Sequence, residues 1–329
     1  MPTKNMPGSD STKSLSPAAA ARLEAEVDQI HREAGQGFVE VAPRSRTSKI
    51  GSRRTVFTGM DGEFWQSRQF GWGQDDPRTI MSRAAARTGG EPLFCKVTKP
   101  ETQTQVHLLG DISRTLDFGF SRESKLGLMA RCAVTVCLSL KESQDNVVPA
   151  LYANNEVVWT VPRPVSPVHV TRTMTRKILN PVYSSGKVES GLIDALRRLP
   201  PRRSEVLILS DFLNMTAQQQ DALARTARRH CVRALVIQDE RERSLPTPPS
   251  WWPFPVPVPV FDLTTGKQSK WWLTAKNREQ YTREFEAHEQ KLFAFFAKHG
   301  IRYEVVKTNE GVEATRKVLK LLALPPLNR

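Results

Sequence analysis

Apolar and polar positions along this chain alternate in blocks that predict strands and helices in turn. Residues 105–111 form a short apolar run, including Val106, Leu108 and Leu109, that ends abruptly at Asp111. An apolar run of this length, bounded by polar turn residues, is typical of a buried strand whose carboxyl end opens into a loop. From residue 123 the apolar positions follow a helical period, which predicts a helix extending to Leu140.

A second run of the same kind covers residues 205–211, where four apolar residues are followed by Ser210 and Asp211. The pattern elsewhere predicts further strands at 147–152, 157–161, 234–238 and 302–306, an edge strand at 269–273, and helices at 168–179, 191–199, 217–230, 277–299 and 312–324. Strands that alternate with helices predict an α/β fold, with a mostly parallel sheet covered by helices on both faces.

The N-terminal part of the chain has a different pattern. Residues 1–16 are rich in Ser, Pro, Gly and Lys and are predicted to be a disordered leader, after which a short helix begins at Pro17. Residues 55–97 mix aromatic residues, glycines and arginines. These form either a small β-rich subdomain, whose arginines pair with nearby carboxylates, or a surface that stacks single-stranded bases. The predicted organisation is a leader (1–16), an N-terminal helix with the β-rich subdomain (17–100), and the α/β domain (101–325).

A proline-rich stretch interrupts the alternation between residues 245 and 259. Seven prolines there surround Trp251, Trp252 and Phe254, and such a segment is extended and stiff. It either presents its aromatic side chains to a partner protein or packs as an ordered loop over the edge of the sheet.

Composition adds charge to this picture. The 329 residues include 48 Lys and Arg against 34 Asp and Glu, a net charge of +14. An anionic partner is therefore electrostatically possible, although a generally basic solvated surface is favoured over specific nucleic-acid binding. The four cysteines have no C-x-x-C spacing, and no apolar run approaches the ~20 residues of a membrane span. We expect reduced cysteines, no membrane association and a cytoplasmic protein.

The loop after the first buried strand carries the candidate chemistry. Asp111, Ser113 and Thr115 offer oxygen ligands at alternate positions, and the parallel-sheet topology predicts that Asp211 lies at the same edge. Oxygen donors of this kind suit Mg²⁺ or Mn²⁺. The alternative is that Asp111 and Ser113 only cap a helix or fix a turn. Because two carboxylates repel each other unless a cation or proton lies between them, the convergence with Asp211 favours a metal.

An ordered series of motifs resembles the bacterial domain-of-unknown-function-58 family. The series consists of Arg68-Gln69-Phe70, Gly73 to Ile80 with Arg78, Asp111-Ile112-Ser113, Ser210-Asp211-Phe212 and Asp239 to Pro246, the last read as D-x-x-E-x-x-L-P. The resemblance implies a von Willebrand factor type A-like fold with a metal-ion-dependent adhesion site, D-x-S-x-S plus a distant Thr and a distant Asp.

The family pattern assigns the metal ligands residue by residue. Asp111 and Ser113 match directly, Thr115 replaces a serine but keeps the hydroxyl, and Asp211 matches the distant Asp. Ser190 stands where the family has its distant threonine. The resemblance further implies a role beside a MoxR-type AAA+ ATPase in assembling or maturing a client protein.

Taken together, the sequence predicts a non-enzymatic, metal-dependent protein-interaction module. Trp251, Trp252, Phe254, Arg68 and Arg78 are candidate partner-binding residues. Two alternatives are a basic single-strand nucleic-acid-binding protein and a Mg²⁺-dependent phosphohydrolase. The phosphohydrolase is disfavoured because Ser113 occupies the position where such a loop needs a second carboxylate, and a serine cannot act as a general acid at neutral pH.

Overall fold

The computed structural model of the protein describes residues 17–41, 63–73, 75, 77–87, 89, 92–99, 105–116, 124–153, 156–181, 190–213, 215–243, 256–261 and 268–324. The helices in these ranges are α1 (Pro17–Val41), α2 (Ser82–Arg87), α3 (Lys125–Glu142), α4 (Pro167–Leu179), α5 (Gly191–Arg197), α6 (Ala217–Arg229), α7 (Ala275–His299) and α8 (Val312–Ala323). The strands are β1 (Glu63–Gln69), β2 (Phe94–Lys99), β3 (Gln105–Asp111), β4 (Asn146–Tyr152), β5 (Val157–Thr160), β6 (Glu205–Ser210), β7 (Cys231–Gln238), β8 (Val256–Phe261), β9 (Gln268–Leu273) and β10 (Arg302–Lys307).

Six of these strands form the central sheet, in the order β10-β7-β6-β3-β4-β5. All neighbouring pairs are parallel except β4–β5, which places an antiparallel strand at one edge. The chain builds this sheet outward from β3, first through β4 and β5 on one side and then through β6, β7 and β10 on the other. The α/β prediction is confirmed, and the arrangement is consistent with a von Willebrand factor type A-like fold.

After β3 the chain adds strands on one side, and from β6 onward it adds them on the other side, so a topological switch point lies between β3 and β6. Open α/β sheets bind ligands at such a switch point, outside the carboxyl ends of the strands. In the register of this sheet, Gly110 of β3 lies opposite Leu209 of β6, so Asp111 comes level with Ser210. On the other side Asp111 lies opposite Tyr152 of β4. The ends of the two predicted site strands therefore meet, as the sequence pattern predicts.

Each face of the sheet packs against its own set of helices, which confirms helices on both faces. One core joins Val106 and Leu108 of β3 to residues of α1, α3, α4 and α8, and the other joins Leu109 of β3 and Ile208 of β6 to residues of α5, α6 and α7. The short helix predicted at Pro17 is a 25-residue helix, α1, whose Ile30 and Ala34 belong to the first core.

Two antiparallel ribbons lie outside the central sheet. The β1–β2 ribbon buries Phe70 and Cys95, and Arg68 in it forms an ion pair with Asp75. This pairing is the one that the subdomain interpretation of residues 55–97 requires.

The second ribbon pairs β8 with β9. The strand expected at 269–273 is therefore present, but it lies in this separate ribbon and not at the edge of the central sheet, where β5 and β10 are found. Its partner β8 contains Pro257 and Pro259. A two-stranded ribbon accommodates such prolines because each of its strands is an edge strand.

None of the helices in the described ranges combines the length and apolar character that crossing a bilayer requires. The four cysteines are buried and form no disulfide with one another.

Candidate metal centre at the carboxyl edge of the sheet

Asp111 is fixed by three hydrogen bonds at the end of β3. Its Oδ1 accepts from the backbone N–H of Ser113 at 2.9 Å and from the Ser113 hydroxyl, and its Oδ2 accepts from Ser210 Oγ at 2.7 Å. A 3₁₀ turn at Arg114–Leu116 follows, held by the completely buried Leu116. Because Ser113 donates its proton to Asp111, the lone pairs of its hydroxyl oxygen stay available to a further ligand.

Asp211 follows β6 and is held by two different partners. Its Oδ1 accepts from the Leu213 backbone N–H at 3.2 Å, and its Oδ2 accepts from Lys125 Nζ at 3.1 Å. Phe212, between them, adopts a left-handed backbone conformation with φ +52°. This strained residue is held by its buried ring, which packs edge-on against Phe296 of α7 with centroids 5.3 Å apart.

Lys125, the first residue of α3, is completely buried and binds two carboxylates. Besides Asp211, its Nζ contacts Glu242 Oε1 at 2.5 Å. Burial alone would lower the pKa of Lys125, but Asp211 and Glu242 offset this and raise the pKa above its ordinary value. Lys125 is therefore a buried cation that links α3 to the end of β6 and to the 3₁₀ turn Glu240–Arg243 after β7.

Ser190 reaches the same edge through a close approach of two backbones. It is the N-cap of α5, and the following Gly191 lies so near β4 that a Cβ there would be 2.0 Å from the carbonyl oxygen of Ala153. Only glycine fits this contact without displacement. The Ser190 hydroxyl accepts a hydrogen bond from Gln219 of α6.

Four of the predicted ligands line a single cavity of about 40 Å³: Asp111, Ser113, Thr115 and Asp211. Gln219, the partner of Ser190, lines it too. The remaining lining residues are Tyr152, Ala153, Leu192, Ser210, Phe212, Leu213 and Met215. By the same measure a single water needs about 10–15 Å³, so this cavity has room for an ion with a few waters.

The charge in this cavity is negative and incompletely compensated. Its described lining contains two carboxylates and no Lys, Arg or His side chain. Burial, and then the negative charge of Asp211, raise the pKa of Asp111 to about 6, although hydrogen bonds from Ser113 and Ser210 oppose the shift. A carboxyl group whose ionisation is disfavoured in this way is stabilised by a nearby cation.

The oxygen donors that line this cavity fit a hard divalent cation. Carboxylate and hydroxyl oxygens are the ligands that Mg²⁺ and Mn²⁺ prefer. However, Lys125 already occupies Oδ2 of Asp211, which leaves the other oxygen of that carboxylate for an ion. Within the described ranges there is no group of three or more His, Cys, Asp or Glu side chains placed to hold a metal. Ligation would therefore depend on the hydroxyls of Ser113 and Thr115 as well as on Asp111 and Asp211.

Two of the predicted partner-binding residues, Arg68 and Arg78, lie in the N-terminal part of the chain and do not line this cavity, and Arg68 pairs with Asp75. Trp251, Trp252 and Phe254 fall outside the described residues.

Sequence reasoning missed several residues that complete the site. Ser210 and Gln219 hydrogen-bond to predicted ligands, while Lys125 and Glu242 add a partly buried ion pair beside Asp211. Of these residues, Glu242 could have been found from the sequence, because it is the glutamate of the D-x-x-E motif that begins at Asp239. Its Oε2 accepts from the backbone N–H of Asp239 at 3.1 Å, and this bond aims its other oxygen at Lys125.

Comparison with known sequences gives one family. The family described as protein of unknown function DUF58 matches residues 66–291. Uncharacterised proteins of Mycobacterium tuberculosis and Mycobacterium bovis are 29% identical over 243 residues, which cover 71% of this chain and 75% of each relative.

Comparison with solved structures gives more distant likenesses. An aerotolerance-related membrane protein from Bacteroides fragilis is 14% identical, with a TM-score of 0.43, over 67% of this chain and 98% of that chain. The PilB minor pilin from Streptococcus sanguinis is 12% identical, with a TM-score of 0.33, over 70% of this chain and 64% of that one. Residues 66–291, which match the DUF58 family, include β3 and β6, the two strands that carry candidate ligands at their carboxyl ends.

Proposed function

This chain belongs to the DUF58 family of proteins of unknown function, and we propose that it is a non-enzymatic protein-interaction module that binds its partner through a divalent cation. The observation that carries the proposal is the cavity between β3 and β6, lined by Asp111, Asp211 and hydroxyl groups without a cationic side chain in its described lining. A cavity of this size and charge suits an ion better than an organic substrate.

In this proposal the chain's own residues hold and orient the cation. Asp111, Ser113, Thr115 and the Oδ1 of Asp211 are the ligands, and Ser190 is linked to the cavity wall through Gln219. Bound Mg²⁺ or Mn²⁺ would supply a coordination position open to an oxygen of another protein, since Mg²⁺ usually keeps several exchangeable waters in proteins. The hydrogen bonds from Ser113 and Ser210 keep Asp111 oriented before an ion arrives.

The partner class follows from the coordination chemistry and from the family resemblance. A carboxylate is the protein group best suited to an open position on a hard divalent cation. We propose that a carboxylate of a MoxR-type AAA+ ATPase, or of the client on which the two proteins act, occupies that position.

A thermal melt with added metal tests the cation site. We expect 5 mM Mg²⁺ or 0.5 mM Mn²⁺ to raise the melting temperature of the wild type, and Asp111→Asn and Asp211→Ala each to abolish the rise. Asp221→Asn on α6 is the matched control, because Asp221 is an exposed aspartate away from the cavity lining. Equal metal-induced shifts in all four proteins would refute the site.

A pull-down tests the interaction separately. The full-length protein is immobilised and challenged with a purified MoxR-type ATPase, with Mg²⁺ or with a chelator. We expect capture that requires the metal and is lost in Asp111→Asn. Capture that is independent of both would show a different interface.

A further inference from the structure

The amino edge of the sheet, opposite the candidate metal centre, collects positive charge. Strands β6, β7 and β10 are neighbours and begin side by side at this edge. Each is preceded by basic residues: Arg202 and Arg203 before β6, Arg228, Arg229 and His230 before β7, and Lys298 and His299 before β10. The topology, not the proximity of these residues in sequence, brings the three groups together.

Four of these arginines are exposed and lack a carboxylate partner among the described residues: Arg202, Arg203, Arg228 and Arg229. Arginines elsewhere in the described structure commonly have one, as Arg172 does with Glu24, Arg283 with Glu279 and Arg316 with Glu313. The positive charge of these four arginines is therefore not neutralised by carboxylates from the described part of the chain.

A cavity of about 60 Å³ lies within this cluster. It is lined by Arg203, Ala227, Arg228, His230, Cys231, Val232, His299 and Gly300, with no Asp or Glu. Since about 10–15 Å³ suffices for a water, the space admits a small oxyanion with its remaining waters.

His230 places a hydrogen-bond donor in the wall of this cavity. The ring is 6% exposed, and its Nδ1 accepts from the backbone N–H of Ser204 at 3.3 Å. A neutral ring that accepts at Nδ1 carries its proton on Nε2. Burial, then the positive charges of Arg229 and Arg203, lower the pKa of His230, so both arginines lie close enough to act on the ring.

The helix dipole does not account for the whole cluster. Arg228 and Arg229 lie in the last turn of α6, where basic residues complement the negative helix end. Arg203 lies outside any helix, in the connection before β6, and lines the same cavity.

We propose that this cavity is a binding site for a phosphoryl group. Arginine suits that ligand because its planar fork matches phosphate oxygens in pairs, and the imidazole Nε2–H adds a further donor. The group could come from inorganic phosphate or from the phosphodiester of a single-stranded nucleic acid. This site is independent of the metal centre.

The test compares two double variants of the full chain that lose the same charge. Arg203→Gln with Arg228→Gln removes two arginines from the cavity wall, whereas Arg283→Gln with Arg316→Gln removes two exposed arginines from α7 and α8. The probes are inorganic phosphate, against chloride at equal ionic strength, and a fluorescent 20-nucleotide oligo(dT). Calorimetry and melting temperature report phosphate binding, and fluorescence anisotropy reports oligo(dT) binding.

We expect at least tenfold weaker phosphate binding in the cavity variant and less than a threefold change in the control. If the phosphodiester is the ligand, oligo(dT) affinity falls in the same way, and the salt slope of log Kd decreases by about 1.4, which corresponds to two lost contacts on a single strand. If the cavity variant loses phosphate binding alone, the ligand is a small anion. If it also loses oligo(dT) binding, the ligand is the phosphodiester of a nucleic acid. Equal responses of the two double variants to both probes would overturn the proposal.

Discussion

At the scale of single residues, the buried ammonium group of Lys125 contributes strongly to stability through its two carboxylate partners. A buried ammonium group costs several kcal/mol unless paired, and removing one member of a buried ion pair typically costs about 3–5 kcal/mol. Lys125→Met would leave the buried Asp211 and the half-buried Glu242 without their cation. We expect a loss of about 3 kcal/mol or more in the free energy of unfolding, measured by urea denaturation, and less than about 0.5 kcal/mol for Lys141→Met at an exposed position of the same helix.

In the proposed metal site, Lys125 and a divalent ion would share the carboxylate of Asp211. Because Lys125→Met frees Oδ2 of Asp211, we expect Mn²⁺ to stabilise this variant more than the wild type, with tighter binding by calorimetry. If Mn²⁺ bound both proteins equally, the ion and the lysine would not share Asp211.

His107 gives a pH dependence whose sign can be derived. This residue of β3 is 7% exposed, its Nε2 has no hydrogen-bond partner in the described structure, and burial, with a smaller effect of His230, lowers its pKa from 6.5 to about 4. Above pH 6.5 the ring is neutral in both folded and unfolded chains. Below that pH it gains a proton in the unfolded chain first, so the free energy of unfolding decreases by about 2 kcal/mol between pH 7 and pH 4.5.

Comparison of variants isolates this contribution, because the raised pKa of Asp111 acts in the opposite direction over the same range. We expect His107→Leu to lose less stability than the wild type on acidification, measured by urea denaturation at both pH values. His169→Gln, at an exposed histidine, should retain the wild-type difference. A parallel pH dependence in all three proteins would contradict the assignment to His107.

At the scale of elements, Gly191 sets the position of α5 and with it Ser190. A methyl group there would collide with the backbone of the β4–β5 connection, so Gly191→Ala must displace the start of the helix. We expect a loss of about 1–3 kcal/mol in the free energy of unfolding, as for other overpacked sites, together with weaker metal stabilisation. Gly35→Ala in α1 has open space around it and should be neutral or stabilising in the same thermal melts.

The elements themselves could largely be predicted from sequence, and the reason is physical. Strands β3 and β6 are buried on both faces, so their apolar runs end sharply where the site begins, and the register then brings Asp111 and Asp211 together. The β8–β9 ribbon was harder to predict, because pairing partners are not specified by the pattern of one strand. Lys125 could not be predicted at all, since a lysine in the first turn of a helix ordinarily lies in solvent.

At the scale of the whole molecule, the two edges of the sheet differ in the sign of their uncompensated charge. The carboxyl edge carries Asp111, Asp211 and Glu242, whereas the amino edge carries unpaired arginines. The six residues of β6 separate these edges by about 20 Å. This exceeds the screening length of about 8 Å at physiological ionic strength.

Because of this separation, we expect the metal and the phosphoryl group to bind independently. Saturating phosphate should change the Mn²⁺ dissociation constant by less than about twofold at 150 mM salt. Calorimetric titration of Mn²⁺ with and without phosphate measures this dissociation constant. The free metal concentration is corrected for complexes of Mn²⁺ with phosphate. A larger change would mean that the sheet or its helices transmit a structural difference.

The edge-on contact between Phe212 and Phe296 ties the loop after β6 to the long helix α7. A loop held by a distant helix melts when that helix frays, even while the strands beside it stay intact. Shortening or nicking the chain within α7 would thus loosen the turn around residue 212, which hydrogen exchange at its amides would reveal before any global unfolding.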